Sequence, residues 1–260
     1  MLGLIKDPSL KFALQMSYPD RSKLHLRIER SVRLWERGAD IFVANQMYLD
    51  GFARSDFAIP HLGAVNVDSF ALLRSGNQKA KQKGRLVIGH APNHRYFKGT
   101  NFIENIIEKL QNQGYDLEFK IFEKVKNEDL LKEIVKVDIV VDQLIMPGYT
   151  NFAIECMALG IPTIVNMGNE DFRKYFTRYS ILASCPLIHS DPETLQDTIK
   201  LILEGSINLD LISTSGIEYV TNFHSYESWV KTWKFWELHD FNGRMMSTLN
   251  YFDQAGKSQD

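Results

Sequence analysis

Cysteine is nearly absent: Cys156 and Cys185 are the only two in 260 residues, and neither belongs to a CxxC pair or a Cys/His cluster. A disulfide-stapled scaffold and a structural zinc site are thereby excluded, and a reducing, cytoplasmic setting is expected. An excess of one charge is missing too. Thirty Lys plus Arg against 32 Asp plus Glu leave a net charge of -2, too balanced for nucleic-acid binding through bulk charge. No apolar run approaches the roughly 18 residues of a membrane span. The opening Met1-Leu2-Gly3-Leu4-Ile5-Lys6-Asp7-Pro8 meets charge and proline too early for a signal peptide. Fixed-period repeats and low-complexity segments are lacking as well. The expectation is a cytoplasmic protein that touches the inner face of a membrane peripherally at most, and in which any anion site is local.

What remains is ordinary globular material, 44% hydrophobic and 24% charged, enough to bury the core of one large or two modest domains. From Arg85 onward short apolar runs alternate with amphipathic stretches. Strands are expected at 85–89, 117–122, 138–141, 162–165 and 186–189, and helices at 101–113, 128–136, 151–159, 171–179 and 192–204. The first helix places Phe102, Ile103, Ile106, Ile107 and Leu110 on one face, with Asn101 and Glu104 as a capping box and Gly114 at its C-terminus. The last turns Leu195, Ile199, Ile202 and Leu203 inward. Strands separated by helix-length segments imply right-handed crossovers, hence a Rossmann-like parallel sheet with helices on both faces.

Before Arg85 the pattern is thinner. A helix is expected at 23–37 with Leu24, Ile28, Val32 and Trp35 on one face, then a strand at 40–44, a short helix at 46–52 and a strand at 57–60. Residues 74–84, polar and basic, read as a linker, either simply solvated or in contact with an anionic surface. The expected division is therefore 1–73, a partial N-terminal Rossmann-like domain; 74–84, linker; 85–222, the main α/β domain; and 223–260, a docking helix and tail. That helix carries Tyr226, Trp229, Trp233 and Trp236 as a stripe suited to packing more than to a ligand platform. The basic-aromatic stretch 172–179 reads as a packed helix, with contact to a membrane surface as its alternative.

In an open parallel sheet, ligands bind beyond the carboxyl ends of the strands, where helix N-termini attract anions. Two loops there have unusual composition. The first, Gly89 to Thr100, puts Arg95, Lys98, Gly99 and two histidines beside a helix start, a diphosphate cradle or else a solvated loop. It lacks the spacing of a Walker P-loop or a GxGxxG turn. The second, Asp142 to Asn151, leads into a helix whose Glu155 stands among apolar neighbours. That carboxylate suits the two hydroxyls of a ribose, or caps or salt-bridges instead.

The run Ala153-Ile154-Glu155-Cys156-Met157-Ala158-Leu159-Gly160-Ile161-Pro162-Thr163-Ile164-Val165 resembles the signature of glycosyltransferase group 1, family 4. Lys98-Gly99-Thr100 is similar to the same family's Lys-Gly pair, and Ser190 to Leu195, Tyr219-Val220 and Phe223-His224-Ser225 agree further. The likeness covers about residues 40 to 238. It implies a GT-B fold of two Rossmann-like halves and a nucleoside-diphosphate sugar as donor, with neither metal nor other cofactor. It further implies that Lys98, with Arg95 and Gly99, contacts the donor diphosphate, that Glu155 holds the ribose, and that Gly148, Tyr149, Thr150 and Asn151 form the sugar-phosphate loop. No residue is thereby assigned to the bond-breaking step.

The sequence departs from that pattern in two places. Pro147 stands where the family has the first Glu of its Glu-x7-Glu motif, and Thr150 where it has a glycine. The segments Ala39 to Asn45 and Ile59 to Asp68 resemble only the closing part of the family's N-terminal domain. The resulting expectation is a retaining glycosyltransferase, with the acceptor unspecified. The alternatives are a non-catalytic nucleotide-sugar-binding or scaffolding module, or one half of a split enzyme. The split form is expected to expose an apolar face around residues 20 to 60 for a partner chain or a second copy.

Overall fold

The computed structural model describes residues 8–45, 52–54, 56–59, 63–76, 85–168, 170, 173–174, 181–238 and 246–247. The chain forms two compact units, one of Met1–Leu62, Gly168–Cys185 and Glu227–Asp260, the other of Gly63–Met167 and Pro186–Tyr226. Most of the expected helices at 46–52 and 171–179, the residues Pro60 to Leu62, linker residues 77–84 and nearly all of the tail beyond 238 lie outside the described residues.

The first unit opens with helices α1 (Pro8–Ser17), α2 (Pro19–Ser22) and α3 (His25–Gly38), followed by strands β1 (Val43–Asn45) and β2 (Phe57–Ile59). The apolar face expected of α3 is half realised: Ile28 and Val32 are partly buried, but Leu24 and Trp35 are 48% and 65% exposed, and the buried residue is Glu36. The reason is compensation. Glu36 accepts both of its oxygens' bonds from Arg33, at 2.8 and 2.9 Å, and another from the Ala53 amide, which together make a buried carboxylate tolerable. Burial would raise its pKa, but these donors outweigh that and hold it below the usual range. Leu26 and Leu34 are exposed as well.

The second unit begins with α4 (Val67–Ser75), capped by the Asn66 side chain. Its sheet then alternates with helices: β3 (Leu86–His90), α5 (Arg95–Lys98), α6 (Thr100–Asn112), β4 (Leu117–Ile121), α7 (Asn127–Ile134), β5 (Ile139–Gln143), α8 (Asn151–Ala158), β6 (Thr163–Val165), β7 (Ile188–His189), α9 (Leu195–Leu203) and α10 (Leu209–Phe223). The five strands are parallel, in the order β4-β3-β5-β6-β7. Alternation along each strand sends neighbours to opposite faces. Ile88, Val141 and Ile164 pack with Ile103, Ile107 and Leu110 of α6 and with Leu195 and Ile199 of α9. On the other side Val87 and Val140 meet Ile134 of α7, Cys156 of α8, and Phe70 and Leu73 of α4. The Rossmann-like α/β sheet covered on both faces is thus the observed architecture.

Two local expectations fail within it. Asn101 and Glu104 form no capping box, because α6 begins one residue earlier, at Thr100, with left-handed Gly99 as its N-cap; Glu104 binds Arg95 instead. Phe102 is 49% exposed, since the inward face of α6 follows Ile103, Ile107 and Leu110. Gly114 does take the left-handed conformation, at φ 92°.

The last described elements are α11 (Tyr226–Leu238) and β8 (Met246–Ser247), which joins β1 and β2 in a three-stranded parallel sheet ordered β1-β2-β8. Ser228, Thr232 and Phe235 make the buried face of α11, while Tyr226, Val230 and Trp233 stand more than half exposed. Tyr226 and Trp233 of the aromatic stripe therefore face outward, and Trp229, half-buried, is in tilted contact with Trp233 at 6.3 Å. Among the described residues, no helix is long and apolar enough to cross a membrane.

Candidate functional site

The order β4-β3-β5 means that the chain leaves β3 in one direction and returns on its other side, so the connections diverge between β3 and β5. Crevices at such a switch point, beyond the carboxyl ends of the strands, are where open α/β sheets bind ligands. The two loops singled out in the sequence follow these two strands, and they are pressed together. The Leu144 amide donates to the Lys98 carbonyl at 3.1 Å. Gly99, at φ 76°, lies so close that an added Cβ would stand 3.2 Å from Leu144 and Ile145.

Lys98 points inward. Its ammonium donates to Asp142 Oδ1 at 2.5 Å, with side-chain exposures of 5% and 0%. The other oxygen, Oδ2, accepts from the Thr150 hydroxyl at 2.7 Å. One carboxylate at the end of β5 thereby ties the first loop to the second. Arg95, on the single turn α5, donates to Glu104 at 2.5 Å and to Glu123 at 3.2 Å.

Glu155 lies one turn into α8. Asn127, the first residue of α7, donates to its Oε1 at 2.8 Å. Burial raises the Glu155 pKa above 4.5, the Asn127 bond opposes that, and the negative charge of Asp142 raises it further. Lys98 and Glu155 are therefore both coupled to Asp142, one by contact and one through its field.

The loop between β5 and α8 is held from beneath. The Gly148 amide donates to the Asn166 carbonyl at 2.7 Å, and its own carbonyl accepts from Gln143 Nε2 at 2.5 Å. Tyr149 is buried, its hydroxyl 3.0 Å from that of Tyr219 and 2.9 Å from His224 Nε2. Thr150 is the N-cap residue of α8 and Asn151 is exposed at its first position; neither α6 nor α8 carries a side-chain cap bond. At the start of α6 the Phe102 and Ile103 amides donate to the Gly99 carbonyl, at 3.0 and 3.3 Å.

His90 ends β3 beneath the first loop. Its Nδ1 lies 2.7 Å from the Val141 carbonyl oxygen, which only accepts, so Nδ1 carries the hydrogen and Nε2 accepts from Thr100 Oγ1 at 2.9 Å. Burial pushes its pKa down to about 4, leaving a neutral ring that braces the start of α6. Asp142, Asn127 and Tyr219 were given no role by sequence reasoning. The signal for Asp142 was a carboxylate ending an apolar strand, which must find a partner. Among the described residues, no three His, Cys, Asp or Glu side chains group as a metal ion would require.

No family model and no curated protein matches the chain. Solved structures do. WaaG, a glycosyltransferase involved in lipopolysaccharide biosynthesis, superposes with a TM-score of 0.50 at 12% identity, over 78% of this chain and 64% of that one. An O-GlcNAc transferase mutant of Thermobaculum terrenum gives 0.45 at 14% identity, over 90% and 56%. A trehalose-6-phosphate synthase gives 0.46 at 13%, over 68% and 50%. The likeness to WaaG is one of fold, and the chain spans about 64% of WaaG's length.

Proposed function

We propose that the chain is a glycosyltransferase which holds a nucleoside-diphosphate sugar at the switch point between β3 and β5. One observation carries this reading: the Lys98 loop and the Asp142–Asn151 loop, two separate stretches of sequence, converge there beside two helix N-termini without side-chain caps. Lys98, Arg95 and Gly99 face the diphosphate with the α6 amides, Glu155 takes the ribose hydroxyls, and residues Gly148 to Asn151 border the sugar and its phosphate. Transfer proceeds with retention, driven by stabilising the departing diphosphate and by holding the acceptor close, with no strong protein base. The fold shared with WaaG supports the assignment at the level of architecture.

The test is calorimetric titration of UDP, GDP and their sugars into the unaltered chain, Lys98→Ala and Glu155→Ala, each verified as folded by thermal melting. Weaker binding in both variants is expected. Affinity that survives both substitutions unchanged removes the assignment.

A further inference from the structure

We propose that Asp142 is an internal competitor for the anion that this crevice binds: its carboxylate and a phosphoryl oxygen contend for the same Lys98 ammonium, so Asp142 sets how tightly a diphosphate is held. The inference rests on the reading of the crevice as a diphosphate site and adds a regulating residue to it.

Three observations support it. First, Lys98 is engaged. Its ammonium and the Asp142 carboxylate are both buried and in direct contact, and a phosphoryl oxygen offers the ammonium the same kind of charge-assisted bond. Second, both cations are already paired. Arg95 is held by Glu104 and Glu123, and Lys98 by Asp142, so an incoming diphosphate gains either charge only by displacing a carboxylate. Third, Asp142 keeps one partner when it releases Lys98. Its Oδ2 keeps the Thr150 hydroxyl, and Thr150 is the residue that opens α8. Movement of Asp142 would therefore be felt at residues 147–150, which links the grip on the diphosphate to the loop proposed for the sugar.

A merely structural Asp142 would show itself differently, because its replacement would weaken the fold and leave anion affinity unchanged or lower. The experiment is titration of inorganic pyrophosphate into the unaltered chain, Asp142→Asn and the double variant Lys98→Met/Asp142→Asn, with thermal melts alongside. Asp142→Asn is expected to bind pyrophosphate about tenfold more tightly, and the gain is expected to vanish in the double variant. A folded Asp142→Asn with equal or weaker affinity overturns the proposal, as does a gain that persists without Lys98.

Should Asp142→Asn fail to fold, a structure of the unaltered chain with pyrophosphate decides. Lys98 on a phosphoryl oxygen, with its contact to Asp142 opened, supports competition. An intact Lys98–Asp142 contact, or no pyrophosphate at Lys98, overturns it. Nucleotide-sugar binding that needs Lys98 but does not tighten in Asp142→Asn sinks this inference and spares the glycosyltransferase reading. Tighter pyrophosphate binding in a chain that binds no nucleotide sugar does the reverse.

Discussion

Tyr149 and His224, 75 residues apart in sequence, are joined through the phenol oxygen and Nε2 at 2.9 Å in the interior of the second unit. The direction of each bond follows from what surrounds the ring. His224 Nδ1 lies 2.8 Å from the Gly63 carbonyl and so carries the hydrogen; Nε2 accepts from Tyr149, and the Tyr149 oxygen is left to accept from Tyr219 at 3.0 Å. The loop that borders the candidate site is thus fastened to α10 and to the residues preceding α4.

Removing that one oxygen tests the fastening. Tyr149→Phe keeps the ring and its packing but withdraws a donor from His224 and an acceptor from Tyr219. Chemical denaturation is expected to show a loss of about 1–3 kcal/mol, the range for polar groups stranded in an interior. A change well under 1 kcal/mol would mean that the oxygen contributes little to holding the loop.

Two left-handed glycines with different surroundings separate backbone strain from crowding. Gly114→Ala, at φ 92° with nothing within 4 Å of the new Cβ, is expected to cost about 1–2 kcal/mol for conformation alone. Gly99→Ala at φ 76° adds the encroachment on Leu144 and Ile145 and is expected to cost more, displacing the paired loops. Urea midpoints of the two variants give the ranking, and equal losses would contradict the close approach at Gly99.

His90 predicts an acid-side loss of stability. Its folded pKa of about 4 lies below the ordinary 6.5, so between those values the unfolded chain binds the extra proton. The contribution is complete above about pH 6.5 and drains away as pH falls toward 4, amounting to about 3 kcal/mol. Urea unfolding between pH 4 and 7 should show a shallower decline in His90→Gln than in the unaltered chain. Parallel profiles would refute the buried neutral imidazole.

Glu155 acts in the opposite sense. Burial, aided by the charge of Asp142, raises its pKa in the folded chain, so its favourable contribution is complete below about pH 4.5 and is lost as pH rises through the raised value. Relative to the unaltered protein, Glu155→Gln should therefore gain in Tm as pH increases from 4 to 7. A difference independent of pH would show that Glu155 titrates as it does in the unfolded chain.

The second unit was legible because its strands and helices bury continuous apolar faces, and periodicity reports burial directly: Leu195, Ile199 and Ile202 lie inside as their spacing predicts. Periodicity misled where polar atoms found partners. On α3 it chose Trp35 over Glu36, because nothing local announces that Arg33 and the Ala53 amide will meet that carboxylate. On α11 it chose the aromatic stripe over Ser228 and Thr232. At the site, the loops and the helix-start residues could be read, whereas the Lys98–Asp142 pair joins positions 44 apart and depends on the β3–β5 pairing, which no short stretch of sequence encodes.

The parallel bridge between Val65 and Ser225, with the Val65 amide donating to the His224 carbonyl and the Gly63 carbonyl taking the His224 ring, sews together the outer ends of the second unit, which runs from Gly63 to Met167 and from Pro186 to Tyr226. Outer ends held side by side can be closed by a short splice and the chain reopened at another surface turn of the unit without unravelling its interior. Such rearranged genes offer a way to study the candidate crevice by itself.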